Sequence, residues 1–535
     1  MLLFLTLLAT LFAGLRGWHR LRYFLHLFQL EGYKPAEFGQ WLAARMGQVF
    51  RRSHALAVVL LVLAFVWMDL PWVLGGVLLG WCVAFASSKL YHTARPKKPL
   101  KYTARMKRLT ATSIVLALLP IVVGTSLGWA QGWPDALPYY LAGLLLADWG
   151  SPLWVLLAAL LMKPVETSIQ HGFKHQARTT LKRRSDLTVL TITGSYGKTS
   201  VKFIVAEILK QRYSVLATPG SYNTPMGICL VVNTMLKPEH QVLVLEMGIR
   251  HPGDMRELCK IAQPELGIVS NIGIAHLETM GSKENIAQEK GTMLEYLPPD
   301  GSMVLNQDDP LVAAMDARAP GRKAWRVSVD DAPDADITAR DIRYGPEGAR
   351  FIVRDETGTE HPFRTKLLGK HNVQNILLGV AVGRSMGLRL RQMAHAVRRI
   401  EPVAHRLALR QEGPLTVIDD AFNSNPTGAK NAVEILGQFE GTRAIVTPGM
   451  VELGERHYAE NFALGQHIAR HADLAVLVGE QQTAPIQDGL RDASYPEDQI
   501  KIFNSLFDAR DYVNSHLPPG SVVLYENDLP DQYAE

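Results

Sequence analysis

Cysteine is scarce in this sequence. Cys82, Cys229 and Cys259 are the only three in 535 residues, and they are too scattered for a metal-ligand spacing. No disulfide framework is implied, as expected for a reducing compartment. Internal repeats and low-complexity stretches are absent, so no repeat architecture needs considering. A strong net charge of one sign is also missing, since 56 Lys+Arg face 51 Asp+Glu. That near balance hides a division. Residues 1–186 hold 21 Lys+Arg against 7 Asp+Glu, a balance of +14, and the remaining 35 and 44 leave residues 187–535 at −9. The basic charge is not spread as on a nucleic-acid binder, so no nucleic-acid partner is expected. It flanks apolar segments, the pattern of a chain that meets the anionic inner face of a membrane. The length allows about three domains at ~150 residues each.

Five apolar stretches precede residue 165, at about 2–15, 54–69, 71–87, 112–129 and 137–162. A helix needs ~20 apolar residues to cross ~30 Å of hydrocarbon, so the first three are short. The last contains Asp148 and Gly150 and reads as a broken helix, or as a crossing plus an interfacial piece. Loop charge sets the orientation. Residues 16–53 carry seven Lys+Arg and residues 88–111 carry eight, whereas the connections at 70 and 130–136 carry none. The expectation is five crossings, with the N-terminus outside, the basic loops inside and everything after Lys163 inside. Trp129 and Trp133 fall at an outer connection, where aromatic belts belong, although ordinary packing would explain them equally well. The first apolar run has its basic cluster (Arg16, Arg20, Arg22) after it rather than before it, so it reads as an uncleaved helix and not a signal peptide. Residues 166–186 form a basic connector, lying on headgroups or solvated.

Leu187–Thr193 reads as a buried strand. Gly194-Ser195-Tyr196-Gly197-Lys198-Thr199-Ser200 follows, and then Val201, Ile204, Val205, Ile208 and Leu209 recur at helical spacing. Strand, glycine turn and helix make the context of a phosphate-binding loop. Backbone N–H groups approach phosphate oxygens, the helix N-terminus adds positive potential, Lys198 reaches the terminal phosphates and Thr199 sits on Mg²⁺. The spacing G-x-x-G-K-T is shorter than the usual form, with Ile192 where a first glycine normally stands. Two further strands end in polar residues: Gln241–Leu245 runs into Glu246, and Leu266–Ser270 into Asn271, with His276 beyond. Ligands gather at the carboxyl ends of parallel strands, so Glu246 is placed to hold a hard cation directly or through water. His276, taken alone, reads as a packing or capping residue.

These residues resemble the Mur ligases, which build the peptide of bacterial cell-wall precursors. The matching segments run in order: TGSYGKTS (193–200), SYNTPMG (221–227), LEMG (245–248), SNIGIAHLETMGS (270–282), IAQEKG (286–291), LNQDDP (305–310), GKHNVQN (369–375), PVAHR (402–406), DDAFNSNP (419–426) and GMVELG (449–454). Within that family the chain looks most like the ligases that add D-alanyl-D-alanine. The resemblance implies an ATP- and Mg²⁺-dependent enzyme working through an acyl phosphate. Gly194 to Ser200 would bind ATP, with Lys198 on the phosphates. Thr199, Glu246 and His276 would be metal ligands, and Lys290 would join them as its carbamate. Asn375 would contact adenine. Arg406 and Asp420 would grip the nucleotide from the C-terminal domain. Asn223, Asn423 and Asn425 would face the substrates. The implied partners are a cell-wall peptide precursor and an amino acid or dipeptide, and the implied location is the bacterial cytoplasmic membrane with the catalytic domains inside.

The chain departs from the family pattern in places. No domain that grips the precursor's uridine nucleotide is recognisable, and apolar segments stand in its place. Phe422 replaces the tyrosine of D-D-S-Y-N, Pro448-Gly449-Met450 stands for G-D-M, and Leu524–Tyr533 lacks the K-G-S-R ending. An amide ligase for another polymer, such as poly-γ-glutamate, is therefore a second expectation, and a non-catalytic membrane scaffold a third. Residues 330–368 read as an antiparallel excursion. Strands at 415–419, 443–447, 474–478 and 521–525 alternate with helices in a Rossmann-like pattern without a dinucleotide fingerprint. The expected fold class is multi-domain: α-helical transmembrane residues 1–165, a connector 166–186, an α/β P-loop central domain 187–399 and a Rossmann-like α/β C-terminal domain 400–535.

Overall fold

The computed structural model describes residues 1–49, 52–67, 69–86, 99–345, 348–401, 407–421, 426–451 and 453–527. It divides into two compact units, Met1–His171 and Gly172–Glu535.

The first unit is helical: it holds α1 (Leu2–Leu30), α2 (Arg52–Val66), α3 (Pro71–Ala86), α4 (Ala104–Trp129), α5 (Leu137–Trp149) and the start of α6 (Ser151–Lys182). By length and composition α1, α4 and α6 can each cross a membrane. At 1.5 Å per residue, α2 and α3 reach only ~25 Å. Leu11, Val59, Val83, Leu118 and Val122 point outward and are exposed, as lipid-facing positions would be. Two sequence-level expectations are refined here. The apolar run at 137–162 is two helices, broken at Gly150. The basic connector is helical over most of its length, because α6 continues through it to Lys182.

Where α4 meets α5, small residues let the backbones touch. A Cβ on Gly124 would lie 2.3 Å from the Tyr139 carbonyl oxygen, and one on Gly143 would lie 2.6 Å from that of Pro120. Close approach of this kind is how helices gain packing energy when no water is there to drive them together.

α1 does not stop at the end of its apolar run. Arg16 and Asp148 are each only 1% exposed, and Arg16 Nε lies 3.1 Å from Asp148 Oδ2. His54 Nε2 sits 2.9 Å from the same oxygen and 3.0 Å from Arg16 Nη2. Arg16 also donates to the Ala84 carbonyl, and Arg20 to that of Val49. Four helices are thereby tied by one buried cluster of charged groups. Each of its charges is costly unless paired.

The second unit contains two sheets. The nine-stranded sheet consists of β1 (Thr188–Thr193), β2 (Val215–Ala217), β3 (Val242–Glu246), β4 (Leu266–Val269), β5 (Ser302–Asn306), β6 (Lys323–Ser328), β7 (Ile337–Gly345), β8 (Gly348–Arg354) and β9 (Glu360–Thr365). Its order is β2-β3-β1-β4-β5-β6-β7-β8-β9. The first seven strands in that order pair in parallel. β7, β8 and β9 pair antiparallel, the excursion read from the sequence. All six residues of β1 except Thr188 are buried, because helices cover both faces. One face packs against Ile204 and Ile208 of α7 (Lys198–Leu209), the other against Leu258 and Met293.

The six-stranded sheet consists of β10 (Ala408–Glu412), β11 (Leu415–Asp420), β12 (Arg443–Thr447), β13 (Leu474–Val478), β14 (Ile500–Phe503) and β15 (Val522–Glu526). The order is β10-β11-β15-β12-β13-β14, parallel except at β10. The edge strands β10 and β14 are additions to the sequence reading.

Candidate active site

β1 lies between β3 and β4, with Ile192 opposite Glu246 and Thr193 opposite Val269. Their carboxyl ends therefore place the loop 194–197, Glu246 and the 270–276 loop side by side. Gly197 adopts φ +76° and caps α7, a backbone position that penalises any residue with a Cβ. A Cβ there would also meet Asn375 Oδ1 at 3.0 Å, which sets Asn375 against the phosphate loop. The loop is gripped from β4's end. Ser195 N donates to the Asn271 carbonyl, Tyr196 N to Asn271 Oδ1, and Ser270 Oγ to the Tyr196 carbonyl. Ser195 Oγ both donates to and accepts from the backbone of Gly273.

Glu246 is 1% exposed, yet it carries several donors. Thr199 Oγ1 donates to Oε2 at 3.0 Å, Lys202 Nζ to the same oxygen at 3.1 Å, and Asn223 Nδ2 to Oε1 at 3.0 Å. Lys198 Nζ donates to the Gly194 carbonyl at 2.7 Å, and the buried Lys290 Nζ donates to it at 2.9 Å. Burial, reinforced by the charge of Lys198, pulls the Lys290 ammonium down to about 7. His276 is held below its usual value, first by partial desolvation and then by Lys290, Lys198 and Arg250.

Of the residues singled out in the sequence, the structure brings Thr199, Glu246 and Asn223 into direct contact, and Lys198 and Lys290 onto one oxygen. His276 lies within their field and has positive φ at the start of a short turn. Ser200 occupies the first turn of α7. Asp420 is at the end of β11 in the other sheet, where it accepts from Leu407 N at 3.0 Å. Arg406, Asn423 and Asn425 lie outside the described residues, as does Phe422.

Sequence reasoning passed over four supporting residues. Lys202 is the buried partner of Glu246. Asp309 Oδ2 accepts from Ile272 N, and Asn306 Nδ2 donates to the Ser270 carbonyl. Gln374 Nε2 donates to Asn306 Oδ1 in turn. Asn306 and Asp309 belong to the LNQDDP segment, and Gln374 to GKHNVQN, so their motifs carried the signal without their roles.

Among the described residues no group of three His, Cys, Asp or Glu is arranged to enclose a metal. Mg²⁺ does not need such an enclosure. It keeps several waters and is held by one or two carboxylates together with phosphate oxygens. Glu246 with the Thr199 hydroxyl on its Oε2 fits that donor set. The buried Cys259 thiol, pushed up to about 12 by burial, offers no thiolate.

Comparison with known proteins gives the family. Residues 192–383 match the Mur ligase middle domain, and residues 405–525 match the Mur ligase glutamate ligase domain. The UDP-N-acetylmuramoyl-tripeptide–D-alanyl-D-alanine ligase of Escherichia coli strain K12 is 31% identical over 346 residues, 64% of this chain and 74% of that one. The chain belongs to the Mur ligase family. The enzyme of the same name from Mycobacterium bovis is 36% identical over 300 residues, 55% of this chain. This Mur ligase spans 58% of the length of that mycobacterial relative. A crystal structure of MurF from Acinetobacter baumannii superposes with a TM-score of 0.60 at 26% identity, covering 67% of this chain and 77% of that one. MurF ligase from Thermotoga maritima in complex with ADP gives 0.59 at 25% identity, covering 67% and 80%. Both domain matches of this Mur ligase begin after its helical region, the part in which sequence reading found no uridine-nucleotide domain.

Proposed function

We propose that this Mur ligase forms an amide bond with ATP as the driving reagent. The donor is the terminal carboxylate of a cell-wall peptide precursor, soluble or lipid-linked, and the acceptor is D-alanyl-D-alanine or another amino-acid unit. The reaction takes place at the inner face of the bacterial cytoplasmic membrane, with residues 1–165 as a multi-pass anchor, 166–186 as connector, 187–399 as nucleotide domain and 400–535 as C-terminal domain. The observation that carries this reading is the buried Glu246 carboxylate bonded to Thr199 directly after the phosphate loop. The likeness to D-alanyl-D-alanine ligases supports the choice of acceptor.

In this reading the backbone of 194–200 and Lys198 hold the ATP phosphates, and Asn375 lies against the adenine. Arg406 and Asp420 close over the nucleotide. Glu246, Thr199, His276 and Lys290 as its carbamate arrange Mg²⁺, which supplies charge neutralisation when bound. Asn223, Asn423 and Asn425 face the substrates. A donor carboxylate oxygen attacks the γ-phosphorus, and the bond to the ADP oxygen breaks. The acceptor nitrogen then attacks the acyl carbon, phosphate leaves with the bonding pair, and the amine gives up a proton. Lys198 serves by positioning the anions and offsetting their mutual repulsion. Exclusion of water protects the acyl phosphate.

The internal departures from the family pattern, Phe422 and Pro448-Gly449-Met450, favour one competitor, a ligase for another polymer such as poly-γ-glutamate. ADP release by purified protein across a panel of amino acids and dipeptides separates the two. D-alanyl-D-alanine with a muramoyl-tripeptide donor is expected to stimulate release. Stimulation by glutamate alone would replace this reading with the competitor.

A further inference from the structure

Lys202 has no assigned part in the scheme above, yet it is 0% exposed. It lies on α7, one turn beyond the phosphate loop. Its ammonium reaches across to the end of β3 and donates to Glu246 Oε2 at 3.1 Å. The same ammonium also donates to the Gly220 carbonyl. Gly220 belongs to the loop that carries Asn223, and Asn223 grips the other oxygen of Glu246. One lysine thus bonds both to the carboxylate and to the backbone of the loop that holds the carboxylate's far side.

A buried Lys–Glu pair is a poor device for stability alone, because desolvation of both charges cancels most of their attraction. The arrangement makes better sense as orientation. A carboxylate on a short tether can rotate. Here Lys202 holds one oxygen and Asn223 the other, and the Thr199 hydroxyl also lies against Oε2. Groups that orient a metal-binding carboxylate in this way tune the affinity of the site without touching the ion.

We propose that Lys202 is a positioning residue that fixes Glu246 and the 219–224 loop, so that the cation side and the acyl-substrate side of the site are built on one carboxylate. This rests on the assignment of Glu246 to the nucleotide-bound cation. Through Asn223, the same tether carries changes at the cation to the loop facing the donor.

The test uses full-length protein in detergent, with ADP as the nucleotide and Mg²⁺ titrated against the melting temperature. Wild type is expected to gain a Mg²⁺-dependent increment in stability. In Lys202→Met the Mg²⁺ concentration for half of that increment should rise ~10–100-fold, while ADP binding without Mg²⁺ stays as in wild type. Lys202→Arg, which keeps a charged donor, should recover most of the loss. Lys202→Gln, measured identically, stands in if Lys202→Met does not fold. A purely structural lysine would lower the melting temperature of the ligand-free protein and leave the Mg²⁺ half-point unchanged, and that outcome overturns the proposal. If wild type shows ADP binding but no Mg²⁺ increment, the cation assignment of Glu246 falls, and this inference with it.

Discussion

Lys198 and Lys290 donate to one and the same oxygen, the carbonyl of Gly194, at 2.7 and 2.9 Å. They come from elements far apart in the chain, and two ammonium groups so placed repel each other. Burial and the charge of Lys198 bring Lys290 down to about 7. Near neutral pH a large share of Lys290 is therefore a free amine, the form that adds CO₂.

The first prediction concerns that addition. Raising pH from 6 to 8 in the presence of bicarbonate should increase the fraction of Lys290 found as carbamate, read by carbon-13 NMR with labelled bicarbonate. The sign follows from the depressed value: below about 7 the amine is protonated and unreactive. Linkage has a matching sign. The unfolded lysine holds its proton to higher pH than the folded one, so this group makes stability rise with pH between about 7 and its unfolded value of ~10.4. Lys290→Gln should abolish both the signal and its pH dependence.

Lys198→Ala should cut the ligase rate by ~10²–10³-fold, the usual loss when one group that stabilises developing charge is removed. Lys198 donates to the Gly194 and Ser195 carbonyls of its own loop, and the melting temperature without nucleotide is measured beside the rate, so that a loss of folding is told apart from a loss of catalysis. A rate within twofold of wild type would remove Lys198 from the phosphate site.

Glu246→Ala is expected to act differently, on folding as well as on activity. It strips the buried Lys202 of its carboxylate, and an orphaned buried charge costs ~3–5 kcal/mol. Glu246→Ala combined with Lys202→Met should fold better than Glu246→Ala alone, as judged by thermal unfolding, and remain inactive.

In the helical unit, Asp148→Ala leaves Arg16 buried without its acid. Loss of thermal stability in detergent should far exceed that of Glu37→Ala, which breaks an exposed pair with Lys34 worth ~0–1 kcal/mol. The double change Arg16→Met with Asp148→Leu should recover part of the loss, as replacement of a buried pair by apolar groups often does.

How much of this was readable in the residues depended on how local the determinants were. The phosphate loop was legible because Gly194 and Gly197 sit between a buried strand and an apolar-periodic helix, all within about twenty residues. The strand ends at Glu246 and Asn271 were legible for the same reason. The partner of Lys202 was not, since its meeting with Glu246 depends on β3 lying beside β1, a matter of sheet order. Taken alone, the apolar run of α1 ends before Arg16, because an arginine usually marks the edge of a membrane segment. Asp148 and His54, far along the chain, make Arg16 an interior residue, and no local pattern announces that. The strands β10 and β14 escaped notice because each is short and lies at an edge, with its neighbours supplying the pairing.

Isotope transfer decides whether this amide ligase works through an acyl phosphate. The donor peptide, labelled with oxygen-18 in its terminal carboxylate, is incubated with the protein, ATP, Mg²⁺ and D-alanyl-D-alanine, and the released phosphate is weighed by mass spectrometry. One labelled oxygen per phosphate is expected, formed together with an equal amount of amide product. Amide formed with unlabelled phosphate, or ATP cleaved without any amide from either soluble or lipid-linked donor, would contradict it.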